Sequence, residues 1–120
     1  MQWFFYAYPE LRGCLWATAN GLHVAGSPRV RAMKWNAFAK AGGRKGTPDL
    51  MLMVASSGKH GLFIEMKRQN ATASAIAREQ HDFADQAMLQ GYRAEICRGA
   101  VEAKKLIADY LQPLEPRIAL

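Results

Sequence analysis

Two kinds of apolar run alternate along this chain. Leu50-Met51-Leu52-Met53-Val54 and Leu62-Phe63-Ile64 are short and continuous, as buried strands are. Ala55 to Gly61, between them, has the glycines and short polar residues of a hairpin turn, so the two strands are expected to pair antiparallel. Elsewhere the period is helical. Ser27-Pro28 reads as an N-cap followed by proline at the first helical position, and the helix runs to Ala41 before Gly42-Gly43. Val30, Met33, Ala37 and Phe38 are expected to turn inward, with Arg31, Lys34 and Lys40 on the outer part. A second helix spans Ser74 or Ala75 to Gln90, ended by Gly91, with Ile76, Gln80, Phe83, Ala84, Ala87 and Met88 as its inner face. Tyr92, Ala94 and Ile96 alternate with polar residues as in a strand, and Ala103, Leu106, Ile107, Tyr110 and Leu111 give one face to a last helix over Ala100 to Leu111. At the N-terminus Trp3 to Tyr8 make a helical turn or two stopped by Pro9, and Cys14 to Thr18 a short strand before the turn Asn20-Gly21. The order helix, strand, helix, strand, strand, helix, strand, helix is that of an α/β domain.

Charges interrupt this pattern at one place. Gly46-Thr47-Pro48-Asp49 and Ile64-Glu65-Met66-Lys67 set carboxylates and an ammonium beside buried strands, where a lone charge costs several kcal/mol unless it is paired or binds a metal. Glu65 and Lys67, two residues apart in a strand, leave the same face. Pro48 marks the start of the preceding strand, so Asp49 falls at the end of the hairpin away from its loop, within side-chain reach of that face. Two carboxylates converging on one point suit Mg2+ or Mn2+, with waters kept for a phosphate. Lys67 beside them can orient or deprotonate a nucleophilic water or offset charge on a phosphorane-like transition state. The chemistry indicated is metal-assisted phosphodiester hydrolysis; the competing reading is a salt bridge that merely closes a strand end.

These segments, with Ser74 and Gln80 on the following helix, resemble the VRR-NUC (virus-type replication-repair nuclease) domain of the PD-(D/E)xK superfamily, over about Asn20 to Leu111. The resemblance implies a restriction-endonuclease-like fold with a central mixed β-sheet flanked by helices. It implies Asp49 and Glu65 as metal ligands helped by the backbone carbonyl of Met66, Lys67 acting on the attacking water, and Gln80 steadying that lysine or the water. A further acidic ligand on the first helix is usual in the family, and Glu10 is the acidic residue available before Asp49. Stand-alone members resemble Holliday-junction resolvases, so a homodimer nicking branched DNA is the expected activity. The alternatives are a basic nucleic-acid-binding module without catalysis and a flap- or end-cutting nuclease.

Composition sharpens this reading. The 120 residues, 50% hydrophobic, fit one domain over 1–120, with 1–19 as an N-terminal helix and strand and 112–120 as a tail. Before Asp49 there are seven basic residues, Arg12, Arg29, Arg31, Lys34, Lys40, Arg44 and Lys45, against Glu10 alone; from Asp49 onward basic and acidic residues balance at nine each. That asymmetry suits a polyanion, with Arg29, Arg31, Lys34, Arg44 and Lys45 as candidate DNA contacts and Gly42 to Gly46 as a mobile basic loop. His23 is a further candidate phosphate contact. Trp3, Phe4, Phe5, Tyr6 and Tyr8 are more aromatics than one helix face buries; they either wrap the core as a lid or meet a partner subunit. Cys14 and Cys97 lack metal-ligand spacing, so reduced thiols and an intracellular setting are expected. No stretch approaches the ~20 apolar residues of a membrane span, no signal peptide is recognisable, and no organic cofactor is expected.

Overall fold

In a computed structural model residues 1–18 and 25–120 are described, and the expected turn Asn20-Gly21 and His23 lie outside the described residues. The elements follow the predicted order: α1 (Gln2–Ala7), β1 (Leu15–Ala17), α2 (Pro28–Lys40), β2 (Leu50–Leu52), β3 (Leu62–Lys67), α3 (Arg78–Leu89), β4 (Arg93–Arg98) and α4 (Gly99–Leu111). A 3-10 segment over Pro9–Cys14, which the apolar pattern does not announce, joins α1 to β1. No helix among the described residues is long and apolar enough to cross a membrane.

The strands form one mixed sheet in the order β1-β2-β3-β4, antiparallel across the first two junctions and parallel between β3 and β4. The β2–β3 register follows from a tight turn in which Ser57 (φ 51) and Gly58 (φ 74) both take positive φ, between Ser56 and Lys59, which form an antiparallel bridge. Two successive left-handed residues give the twist that a two-residue hairpin turn requires. Ser56 and Ser57 donate their hydroxyls to the Tyr110 carbonyl at 2.6 and 2.8 Å, which ties the turn to the end of α4.

Leu15, Leu52 and Leu62 line up across three strands, and with Ile64 and Cys97 they form a continuous buried face. Phe4, Ala7 and Tyr8 of the N-terminal segment and Ala103, Ile107, Tyr110 and Leu111 of α4 cover that face. Each large side chain fully buried here contributes about 1.5–3 kcal/mol. Phe4 and Tyr8 thus wrap the core, while Tyr6 stays exposed. The tail packs back on α1, with Arg117 N–H donating to the Ala7 carbonyl at 2.8 Å and Trp3 Nε1 to the Ala119 carbonyl at 3.0 Å. Burial pushes the Cys97 thiol up to about 11, with Glu102 and Glu95 adding to the shift. Cys14 and Cys97 are both free thiols.

Helices α2 and α3 depart from their expected faces. None of the α2 residues is buried, and Val30, Met33 and Phe38 are 40%, 62% and 42% exposed, so the expected inward stripe has no core beneath it among the described residues. The Ser27 cap does form, its hydroxyl accepting from Val30 N–H at 3.3 Å. Helix α3 starts at Arg78 because Ala73–Ala75 form a separate 3-10 turn, which leaves Ile76 outside the helix; Met88 is 49% exposed. Its inner side is held by Phe83 against Phe63 of β3, edge to face at 5.0 Å, and by buried Ala87.

Candidate active site

The side chains of β3 alternate between two environments. Leu62 and Ile64 enter the core, whereas Phe63, Glu65 and Lys67 leave the opposite face, toward α3. Extending the β2–β3 register one residue beyond Leu50↔Ile64 sets Asp49 against Glu65. Directly opposed residues in an antiparallel pair share a face, so the pairing itself brings the two carboxylates together.

Asp49 is held from both sides. Its Oδ2 accepts the Met66 N–H at 2.8 Å, replacing a ladder partner where β2 has ended. Its carbonyl accepts from Thr18 N–H at 2.8 Å, and the Thr18 hydroxyl donates to the Pro48 carbonyl at 2.5 Å. Thr18 therefore clamps the segment that carries the aspartate, a role with no signature in the sequence because it depends on β1 lying beside β2. An extended residue projects its N–H and C=O to the same side. The Met66 carbonyl accordingly lies on the Asp49 edge of β3.

Among the described residues Glu65 is the one charged residue that is buried, 6% exposed. Its Oε1 accepts from Gln80 Nε2 at 2.5 Å and lies 3.5 Å from Lys67 Nζ, whereas Oε2 is buried with no hydrogen-bond partner. Burial raises its pKa, and the nearby Asp49 charge raises it further; Lys67 and the Asp49 backbone pull it back only in part. Gln80 sits on the first turn of α3, where its Oε1 accepts from Ala77 N–H at 3.0 Å. That backbone donor fixes the orientation of the amide and leaves its NH2 group for the carboxylate. Gln80 thus contacts Glu65, whereas the resemblance implied that it steadies Lys67 or the water.

A buried carboxylate oxygen without a donor, facing a second carboxylate, is a costly arrangement that a divalent cation relieves. Asp49, Glu65 and the Met66 carbonyl are hard oxygen donors of the kind that Mg2+ or Mn2+ takes. The residues present therefore fit such an ion. Glu10 is placed elsewhere, in an ion pair with Arg117 on the tail, and no group of three or more His, Cys, Asp or Glu converges among the described residues. The expectation that Glu10 adds to the acidic pair is corrected on this account. Ser74 is exposed, its hydroxyl sharing a hydrogen bond with the Thr72 hydroxyl at 2.8 Å.

The basic residues are spread over α2 and the loop that follows it. Arg29, Arg31 and Lys34 are exposed on α2, with Lys34 Nζ donating to the Ala25 carbonyl at 3.2 Å. Arg44 lies over the Phe83 ring at 5.1 Å and Lys45 over the Trp35 ring at 5.9 Å. The loop expected to be mobile is seated on α3. Gly46, at φ +80, approaches the Glu79 backbone so closely that a Cβ would meet the Glu79 carbonyl carbon at 2.4 Å.

Residues 1–101 match the model of the VRR-NUC domain. The chain belongs to the VRR-NUC family. The match starts at residue 1 and not near Asn20, so α1 and the 3-10 segment are part of the VRR-NUC domain. A solved structure described as a VRR_NUC domain protein aligns with a TM-score of 0.62 and 23% identity, covering 81% of this chain and 80% of that one. The mixed sheet between α1 and α4 on one side and α3 on the other is the restriction-endonuclease-like fold, shared with that structure. No curated protein matches the chain significantly.

Proposed function

We propose that this VRR-NUC domain is a Mg2+- or Mn2+-dependent deoxyribonuclease of the PD-(D/E)xK type. The observation that carries the reading is the buried, partnerless Oε2 of Glu65 beside Asp49. Asp49, Glu65 and the Met66 carbonyl would hold the ion, and Gln80 and Lys67 together fix Glu65 through its other oxygen. When bound, the ion polarises a phosphate oxygen and acidifies a coordinated water. Lys67, 18% exposed on its side chain, places its ammonium at the rim of the acidic pair, where it meets both an incoming water and the charge of a phosphate. Arg44 and Lys45, on the loop leading to Asp49, would engage flanking phosphates.

The finer reading is a homodimer that nicks branched DNA. The exposed apolar residues Val30 and Met33 of α2 offer surface for a second copy. Cleavage of four-way junction, flap, single-stranded and duplex DNA, with Mg2+, Mn2+ or EDTA, tests both levels. Metal-dependent cleavage lost in Asp49→Asn and Lys67→Ala is expected, with junctions preferred and a dimer in sedimentation. DNA binding without cleavage under every metal would make the chain a binding module. A monomer that cuts junctions no faster than duplex would remove the finer reading.

A further inference from the structure

An open cleft of about 480 Å³ is lined by Phe38, Gly43, Arg44, Pro48, Phe63 and Phe83 among others. Its size falls in the range of small-molecule sites, roughly 300–1,000 Å³. Two of its lining residues adjoin the candidate site in the chain. Pro48 precedes Asp49 in the chain, and Phe63 leaves the same face of β3 as Glu65 two residues away, a step of roughly 7 Å.

The walls are aromatic. Phe63 and Phe83 meet edge to face at 5.0 Å on the sheet side. On α2, Phe38 is stacked on Trp35 with centroids 5.3 Å apart and planes 6° from parallel. Phe38 also lies flat on Gly43, where a Cβ would come within 2.2 Å of its ring. Two contacts thus fix a ring that is 42% exposed and lines the cleft.

The lining is also cationic, with the Arg44 guanidinium over Phe83. An apolar peptide would gain nothing from that charge. A nucleotide uses both features, its base against aromatic rings and its phosphates against cations. Bases inside a duplex expose only their edges in the grooves, so the occupant must be unpaired or extruded.

On these grounds, and resting on the nuclease reading above, we infer that the cleft binds an unpaired nucleobase one or two nucleotides from the scissile phosphate. Stacking on aromatic rings is tolerant of base identity. The cleft therefore selects DNA by the ease with which a base leaves its stack, and not by sequence.

The test uses a DNA fork with unpaired arms, carrying 2-aminopurine at successive positions across the branch, bound in Ca2+. The emission should change at one or two adjacent positions. That change should vanish in Phe38→Ala and survive in Phe38→Trp, and Phe38→Ala should weaken fork binding by about 5- to 100-fold while leaving duplex binding unaltered. A response uniform along the fork, one indifferent to Phe38→Ala, or an abasic site at the responding position that leaves affinity unchanged would overturn the inference. A fork that stays uncut in Mn2+ but gives the position-specific signal would remove the nuclease reading and leave the base site standing.

Discussion

Gln80 donates its side-chain amide to Glu65 Oε1 at 2.5 Å, the oxygen that also faces Lys67, and so leaves Oε2 of the same carboxylate buried without a hydrogen-bond partner. Removing this donor should loosen the carboxylate without abolishing it. Gln80→Ala is expected to weaken Mn2+ binding by about 10- to 100-fold, the effect typical of groups that orient metal ligands. Isothermal titration with Mn2+ checks this, and an unchanged affinity would reduce Gln80 to a helix-capping residue.

The raised pKa of Glu65 has a consequence for stability. An acid whose folded pKa lies above its unfolded value stabilises the fold fully below the unfolded value, about 4.5, and loses that contribution as pH rises through the folded value. Metal-free protein should therefore lose stability on moving from acidic toward neutral pH. Glu65→Gln, which keeps an acceptor for Gln80 and carries no charge, should be more stable than the parent at neutral pH in EDTA. Mn2+ should raise the Tm of the parent and not that of Glu65→Gln. Thermal melts at several pH values distinguish these outcomes.

Arg44 and Lys45 occupy the loop that leads into Asp49. Replacing both by alanine should weaken DNA binding and lower the magnitude of the salt slope by about 2, close to one unit for each phosphate no longer neutralised. Fluorescence anisotropy across a salt series reads the slope, and an unaltered slope would mean that other cations neutralise the DNA phosphates.

Gly46 holds that loop on α3. Gly46→Ala combines a left-handed φ with a clash against the Glu79 backbone, and should cost about 1–3 kcal/mol. Because Glu79 adjoins Gln80, activity should fall more than stability alone explains. Denaturant melts alongside cleavage rates separate the two effects.

Much of the acidic site was legible because strand periodicity is a local property. Glu-x-Lys in a strand fixes a shared face, and a proline just before Asp49 fixes where the partner strand begins. Pairings between distant segments were not legible. Glu10 pairs with Arg117, 107 residues away, and Thr18 reaches Asp49 only through the β1–β2 pairing. Helix α2 shows a different limit. Its period is helical and its cap forms, but periodicity cannot tell whether an apolar stripe has a core beneath it, and Val30 and Met33 are exposed. The orientation of Gln80 likewise depends on the Ala77 N–H that the helix start happens to leave open.

Whether Asp49, Glu65 and the Met66 carbonyl share one divalent ion decides the reading of the whole site. Crystals of the protein soaked in Mn2+, with data collected at a wavelength where manganese scatters anomalously, test it most directly. A single strong peak is expected within bonding distance of Glu65 Oε2, Asp49 and the Met66 carbonyl, together with its loss in Asp49→Asn. A peak at another cluster, or none between these groups at saturating Mn2+, would contradict a shared ion.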